Sequence, residues 1–268
     1  MYDKKIIMLS RNRVARNYNK FNFLKLYSSE VIKKNIQNIN KDFDRVLEIG
    51  SHDGGLTAKL KKLKKIKKII SIDNSIDMIK LNRISNNYFI YLDEESLIFK
   101  NDSFDGVFSC LYLNNLNDYE IFFNNINKIL KKKGVFLFSI FGSETIRELK
   151  STLIKTDEIV FNGVYPRFNM QFDVKGLGNF LLNLGFKNTV IETDLIKVKY
   201  KSTLKLMRDL KGMGESNFLK KRRKYFSNKF FFSTLEKQYK LNYYDNKDHT
   251  IYSTFEIITA VCWKEWFL

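Results

Sequence analysis

The chain is poor in the residues that usually advertise chemistry. Proline occurs once and glycine twelve times in 268 residues. That leaves no room for long Pro/Gly-rich linkers, and the length suffices for one unit with a full core. Two cysteines, Cys110 and Cys262, can build neither a disulfide framework nor a cysteine-rich metal or iron–sulfur site, and they point to a reducing compartment. Two histidines, His52 and His249, give no pattern for a two-histidine, one-carboxylate iron site. No apolar run approaches the ~18–20 residues of a transmembrane helix. The N-terminal residues lack the apolar segment of a secretory signal. Residues 1–25 carry Arg11, Arg13 and Arg16 with few acids, which suits either a transit peptide or an amphipathic helix of the mature protein.

What is abundant is lysine and aromatic side chains. Lysine and arginine number 47 against 29 acids, a net charge of +18. The cations are scattered, apart from a local block at residues 59–68, and so read as solvated faces. With no RNA-binding motif or appended basic domain, no nucleic-acid partner is expected.

The middle of the chain alternates short apolar runs with helical periodicity. Strands are expected at residues 46–49, 68–72, 88–92, 104–110 and 135–140. Helices are expected at 21–40, 56–63, 75–84 and 118–130, with Ser75 as an N-cap. This alternation predicts βαβ units and a mostly parallel sheet with helices on both faces. Beyond Gly142 the pattern changes. Helices are expected at 143–156 and 173–184, strand material at 189–193, 196–200 and 251–263, and a mostly helical basic stretch at 202–240. Four segments follow: an N-terminal helical arm (1–40), a ligand-binding core (41–142), a lid segment (143–185), and late strands with a helical insertion (186–268).

The most informative stretch is residues 46–55, Val-Leu-Glu-Ile-Gly-Ser-His-Asp-Gly-Gly, an apolar run that breaks into a glycine-bearing turn. Asp73 follows at the end of the next apolar run, with Asn74 beside it. A nucleotide-like ligand needs this pair, a turn the ligand can approach and an acid for ribose hydroxyls. A dinucleotide fold would place glycine where His52 stands, and Glu48 would face a diphosphate. No phosphate-loop sequence follows the strand. S-adenosylmethionine carries a sulfonium and an ammonium and no phosphate, so Glu48 favours it. Asp93 and Glu94, after the third strand, can accept from an adenine amino group. The end of the fourth strand, Ser109 to Leu111, would face the reacting methyl group. Gly50, Ser51 and Gly54 complete the turn.

This constellation resembles the class I S-adenosylmethionine-dependent methyltransferases across residues 46–140. Outside that core, Tyr2-Asp3-Lys4 with Arg11-Asn12-Arg13, the run from Phe141 to Thr145, the run from Asp209 to Asn217 (DLKGMGESN) and Ala260-Val261-Cys262-Trp263-Lys264 are similar to the complex I assembly factor 5 (arginine-hydroxylase) family and its bacterial homologues. More distantly the chain resembles the malonyl-carrier-protein methyltransferase of biotin synthesis. The resemblance implies a Rossmann-like α/β fold with a central, mostly parallel seven-stranded sheet and a helical lid. It implies S-adenosylmethionine as cofactor, held by Glu48, Gly50, Gly54, Asp73, Asp93 and Glu94. Two positions depart from the family pattern: His52 replaces a glycine, and Asn114-Asn115 replaces a His-Trp pair.

Methyl transfer is an in-line displacement that needs alignment and a dry site more than a catalytic side chain, and none is assigned. Candidate substrate residues are Glu144, Asp209, Glu215 and Asn217 for a cationic group, and Arg147, Arg208 or Arg11 for a carboxylate. Glu215 and Asn217 can equally cap a helix starting near residue 217. Tyr165, Phe168 and Phe172 read as lid core. The expected substrate is protein-borne or carrier-linked, with a respiratory complex I subunit implied by the resemblance. A cofactor-binding assembly factor is the non-enzymatic alternative. The compartment follows the host, cytoplasm in a bacterium and mitochondrial matrix in a eukaryote.

Overall fold

Alternating apolar periods produce alternating strands and helices. The computed structural model describes residues 1–82, 87–168, 171–225 and 227–264. The arm forms α1 (Lys4–Val14), a 3-10 segment (Ala15–Lys20) and α2 (Phe23–Asn38). Then come β1 (Phe43–Ile49), α3 (Gly55–Leu60), β2 (Ile66–Asp73), α4 (Ile76–Leu81), β3 (Tyr88–Tyr91), β4 (Phe104–Cys110), α5 (Tyr119–Ile129) and β5 (Leu130–Phe141). The remainder is α6 (Arg147–Phe161), α7 (Val174–Asn183), β6 (Lys187–Tyr200), α8 (Thr203–Gly212), α9 (Lys229–Tyr243), β7 (Tyr244–Asp245) and β8 (Thr250–Trp263).

The strands form one sheet in the order β3-β2-β1-β4-β5-β8-β6, with β7 paired to β8. From β3 to β5 all neighbours are parallel, whereas β8 runs antiparallel to both β5 and β6. The sheet thus has eight strands, not the expected seven, because the two-residue β7 adds to β8. Four other expectations shift. The strand material at 189–193 and 196–200 is one continuous strand, β6. The helix expected from 143 starts at Arg147. The helix expected at 75–84 is α4, with Ile84 outside the described residues. No described helix starts near residue 217: α8 ends at Gly212 and the next begins at Lys229.

Both faces of the sheet are covered. Val46, Phe108, Val135 and Leu137 pack with α2, α3, α6, α8 and α9 on one face. Leu47, Val107, Phe136 and Phe138 pack with α5 and α7 on the other. The side chains of neighbouring strand positions point to opposite faces, so a strand covered on both sides is apolar throughout. Strand β4 is buried along its whole length. Strand order reverses between β1 and β4, so their carboxyl ends diverge into a crevice, the usual ligand position in such sheets. Ser109 Oγ donates to the Ile49 carbonyl at 2.8 Å and holds the two ends together. No helix among the described residues is long and apolar enough to cross a membrane.

Candidate active site

The turn after β1 is pinned to β2. The amides of Gly50 and Ser51 donate to the Ile72 carbonyl at 2.9 and 3.1 Å. Gly50 and Gly54 both lie at φ +80°, and His52 at φ +46°. This left-handed backbone is tolerated by glycine, and by histidine more readily than by bulky residues. At Gly50 the requirement is also steric: a Cβ there would stand 2.1 Å from the ring of Tyr112.

Three buried acids surround the turn. Asp73 accepts from the His52 amide at 2.9 Å and the Ser75 amide at 2.8 Å, one on each oxygen. Glu48 accepts from Thr57 at 2.5 Å and Ser71 at 2.6 Å, both on Oε2. Burial pushes the Glu48 carboxyl up to about 7, against those two hydrogen bonds. Glu94 accepts from Lys4 at 2.7 Å, from the Asn74 side chain at 3.0 Å and from the Tyr112 hydroxyl at 3.2 Å. Burial alone would raise Glu94, but Lys4 and Arg11 hold it below the usual range. Its neighbour Asp93 is half-buried, with Lys4 at 3.9 Å.

The N-terminal arm forms one wall of this site. Arg11 is buried, donates to Asn74 Oδ1 at 2.8 Å, and stacks 3.8 Å from the centroid of the Tyr112 ring. His52 lies parallel to Tyr18 at 5.6 Å and edge-on to Tyr112 at 5.1 Å. Lys25 donates to His52 Nε2. Tyr112, Tyr18, Lys25 and Asn22 were not singled out from sequence. For Tyr112 alone there was a signal, an aromatic directly after the fourth strand.

A second, larger cavity of about 440 Å³ opens beside the cofactor edge. Its walls are Phe141, Leu149, Phe168, Met207, Phe232 and Phe255, with Lys150, Arg167, Arg208, Lys211, Glu215 and Asn217 among the polar lining. Arg167 is held by buried Asp157 through Nε at 2.6 Å, and Lys150 by the Ser143 carbonyl at 2.8 Å. The Gly-Met-Gly-Glu run closes α8 with a Schellman cap: Gly214 N donates to Lys211 O at 3.1 Å and Glu215 N to Leu210 O at 3.0 Å. Gly214 sits at φ +83°, and a Cβ on Gly212 would meet the Phe21 ring at 2.4 Å. The two glycines thus seat the lid on the arm and deliver Glu215 to the cavity, where it accepts from Asn115 at 3.4 Å.

The structure separates the candidate substrate residues. Glu215 and Asn217 line the cavity, as does Arg208. Asn217 donates to the Pro166 carbonyl at 2.8 Å and caps no helix. Glu144, Arg147 and Asp209 do not line it. Glu144 and Arg147 pair with each other at 2.6 Å across the turn that leads into α6, and Asp209 pairs with Lys205 at 2.7 Å one helical turn away in α8. Arg11 belongs to the cofactor edge. Asn114 bridges to Phe141 with both amide atoms, at 3.2 and 3.4 Å, tying the end of β5 to the segment after β4. Leu111 is buried at φ +44°, with its amide donating to Ser139.

Four buried polar atoms around the turn have no partner: Glu48 Oε1, Ser51 Oγ, His52 Nδ1 and Tyr18 Oη. Each such group costs about 1–3 kcal/mol while unsatisfied. A ligand with both donors and acceptors, approaching closely at Gly50, relieves them. S-adenosylmethionine meets that description and a dinucleotide does not, since Glu48 would repel its diphosphate.

A methyltransferase-domain family model matches residues 47–138. The chain is 31% identical over 274 residues to mouse arginine-hydroxylase NDUFAF5, mitochondrial, covering 98% of this chain and 77% of that protein. It is 24% identical over 269 residues to the malonyl-[acyl-carrier protein] O-methyltransferase of Xylella fastidiosa, covering 98% and 88%. Among solved structures, the YcgJ protein of Bacillus subtilis superposes with a TM-score of 0.62 at 13% identity, over 90% of this chain and 99% of that one, which shows the fold. Fold, turn chemistry and full-length similarity agree: this chain belongs to the NDUFAF5 family of class I S-adenosylmethionine-dependent methyltransferases.

Proposed function

We propose that the protein modifies a protein-borne or carrier-linked substrate whose reacting group enters the 440 Å³ cavity beside Glu215. The observation that carries this reading is the position of Glu215. It lines the cavity and, through Asn115, touches the segment that follows β4 at the cofactor edge. An apolar hollow of this size suits one side chain or one carrier-borne chain. S-adenosylmethionine supplies an electrophilic methyl group when bound. The chain's own residues supply position and dryness. Asp73 is pre-oriented by two backbone amides and would accept from ribose hydroxyls, Glu94 would accept from the adenine amino group, and Glu48 keeps one free oxygen. Seating the cofactor requires the Tyr112 ring to leave Gly50 and Arg11 to withdraw with it.

A second reading follows from the same acid. Glu215 with Phe168 and Phe232 suits a guanidinium, and the mouse relative's name, arginine-hydroxylase, supports an arginine side chain as the group modified; a respiratory complex I subunit would be its carrier. A malonyl-type carboxylate would instead engage Arg208 and Lys211, which have no ion-pair partner among the described residues. The site of action would be the mitochondrial matrix in a eukaryote and the cytoplasm in a bacterium.

Intact-mass spectrometry of candidate substrates decides between these: about +14 Da reports a methyl group and about +16 Da a hydroxyl. Glu215→Gln should abolish modification of a cationic substrate while leaving cofactor affinity within about threefold. Loss of activity in Arg208→Ala instead would assign an anionic substrate. Asp73→Ala should weaken cofactor binding about 30–100-fold. Biological function that survives this loss would favour an assembly factor over an enzyme.

A further inference from the structure

The large cavity mixes one acid with a basic rim. Glu215 is half-buried on its wall, whereas Arg208 and Lys211 line it and stay exposed. From Asn217 on that wall the chain runs into residues 220–224, Lys-Lys-Arg-Arg-Lys, the longest unbroken run of cations in the sequence. This run is held in place. Asn217 donates to the Pro166 carbonyl at 2.8 Å, Tyr2 and Leu219 form an antiparallel bridge, and the Lys220 amide donates to the Met1 carbonyl at 3.2 Å. The Arg223 guanidinium stacks 3.9 Å from the centroid of the Phe161 ring and 5.2 Å from that of Tyr165. Arg222 pairs with Asp3 at 3.8 Å, but among the described residues no carboxylate pairs with Lys220, Lys221, Arg223 or Lys224. The three lysines are exposed. Scattered surface lysines are solvated one by one. Here a fixed loop sets uncompensated cations beside a cavity whose own rim is basic, and like charges gathered at a cleft add their fields.

We propose that the substrate is a polypeptide whose modified residue is cationic and flanked by acidic residues, and that Lys220, Lys221 and Lys224 dock those acids. The proposal rests on the large cavity taking the reacting group and on Glu215 receiving its charge. A bare cation aimed at Glu215 must cross the field of Arg208, Lys211 and the loop. A uniformly anionic ligand, such as a lipid surface or a nucleic acid, is repelled at Glu215 itself. The complement of both features is a chain with one cation at its centre and acids on either side. Lys220 follows Asn217 by three residues, so its backbone lies within about 11 Å of that of Asn217 on the cavity wall. An extended substrate covers that distance in three to four residues, which puts the acids about three to six residues from the modified one.

The test is fluorescence anisotropy with labelled peptides of one length, in the presence of S-adenosylhomocysteine. They carry arginine or glutamine at the centre and glutamate, glutamine or lysine at the flanks. With central arginine, glutamate flanks should bind about 10-fold tighter than glutamine flanks, and lysine flanks weaker still. The preference should shrink as salt rises from about 0.05 M to about 0.5 M. The triple variant Lys220→Glu, Lys221→Glu, Lys224→Glu should lose it and favour lysine flanks, at an unchanged melting temperature. Should that variant not fold, the flank and salt series on wild type decide alone. A central arginine that matters while the flanks do not, or an undiminished glutamate preference in the triple variant, overturns the docking loop and leaves the cavity reading standing. Flanks that matter while the central residue does not overturn the cavity as the place where the modified side chain enters, and the substrate assignment with it. Tighter binding of phosphatidylglycerol vesicles, or of single-stranded RNA of matched charge, than of the glutamate-flanked peptide overturns the choice of a polypeptide. No binding of any peptide by folded wild type overturns both the loop and the cavity reading.

Discussion

The cavity at the cofactor edge and the cavity under the lid differ in what fills them. At the cofactor edge about 20 Å³ remains, and the surroundings are charged: Arg11, Lys25, Asp73, Glu48 and Glu94 are packed among Tyr18, His52 and Tyr112. Under the lid 440 Å³ stays open, and the walls are mostly apolar. A small acidic enclosure can be closed by a cationic arm, because Arg11 lies in the field of the same acids, Glu94 and Asp73, that a cationic ligand would meet. The larger, mostly apolar hollow has no such internal substitute and stays open. Charge complementarity therefore lets the chain close its own cofactor site, whereas shape alone keeps the substrate site open. Glu215 lines the large cavity and acts through space on Arg11 and Lys25 at the cofactor edge, so it links the two.

The largest blow to this contrast should come from Gly50→Ala. The added Cβ collides with Tyr112 and strains a backbone at φ +80°, for a destabilisation of about 3 kcal/mol. Thermal melts and titration with S-adenosylhomocysteine should show both stability and cofactor binding reduced, with the latter down at least about 100-fold. The same titration returning wild-type affinity would mean the turn is not the cofactor site.

Glu48→Gln sharpens the electrostatic side. The folded-state carboxyl titrates at about 7, above its unfolded value, so folding takes up a proton between those two values. Stability contributed by the protonated acid is present below the unfolded value and is lost as pH rises through about 7. The amide keeps the neutral form at every pH. Glu48→Gln should therefore be about 1–3 kcal/mol more stable than wild type at pH 8 and equal to it at pH 4. Denaturant melts at the two pH values read this directly, and a difference independent of pH would refute it.

Gly214→Ala probes the junction and should have the smallest effect. Its Cβ has room, with Val14 at 3.6 Å and Arg11 at 3.8 Å, so only the left-handed backbone at φ +83° resists. A cost of about 1 kcal/mol is expected. Substrate KM should move more than cofactor Kd, because the Schellman cap delivers Glu215 to the lid cavity. The reverse split would place the cap with the cofactor edge.

Much of the core was legible because its physics is local. Runs such as residues 104–110 are apolar throughout, and only a strand covered on both faces needs that pattern. The Glu48–Gly54 turn and Asp73 were legible because a tight approach and a strand-end acid need particular residue types. Register and length in the last third were less so. The exposed, alternating β6 reads as two short strands until its pairing with β8 is seen, and β7 is too short to carry a period of its own.

The sequence by itself determined the α/β alternation, the glycine turn, the acids around it and the full-length family resemblance, because each depends on residues close together in the chain. Only the tertiary structure decided which distant groups meet. It placed Glu144, Arg147 and Asp209 with helical neighbours and away from the large cavity. It set Glu215 between the two sites, and it brought Lys25, His52 and Ser51 together under one turn. Those arrangements follow from where the arm and lid pack on the sheet, and packing between segments a hundred residues apart leaves no local period to read.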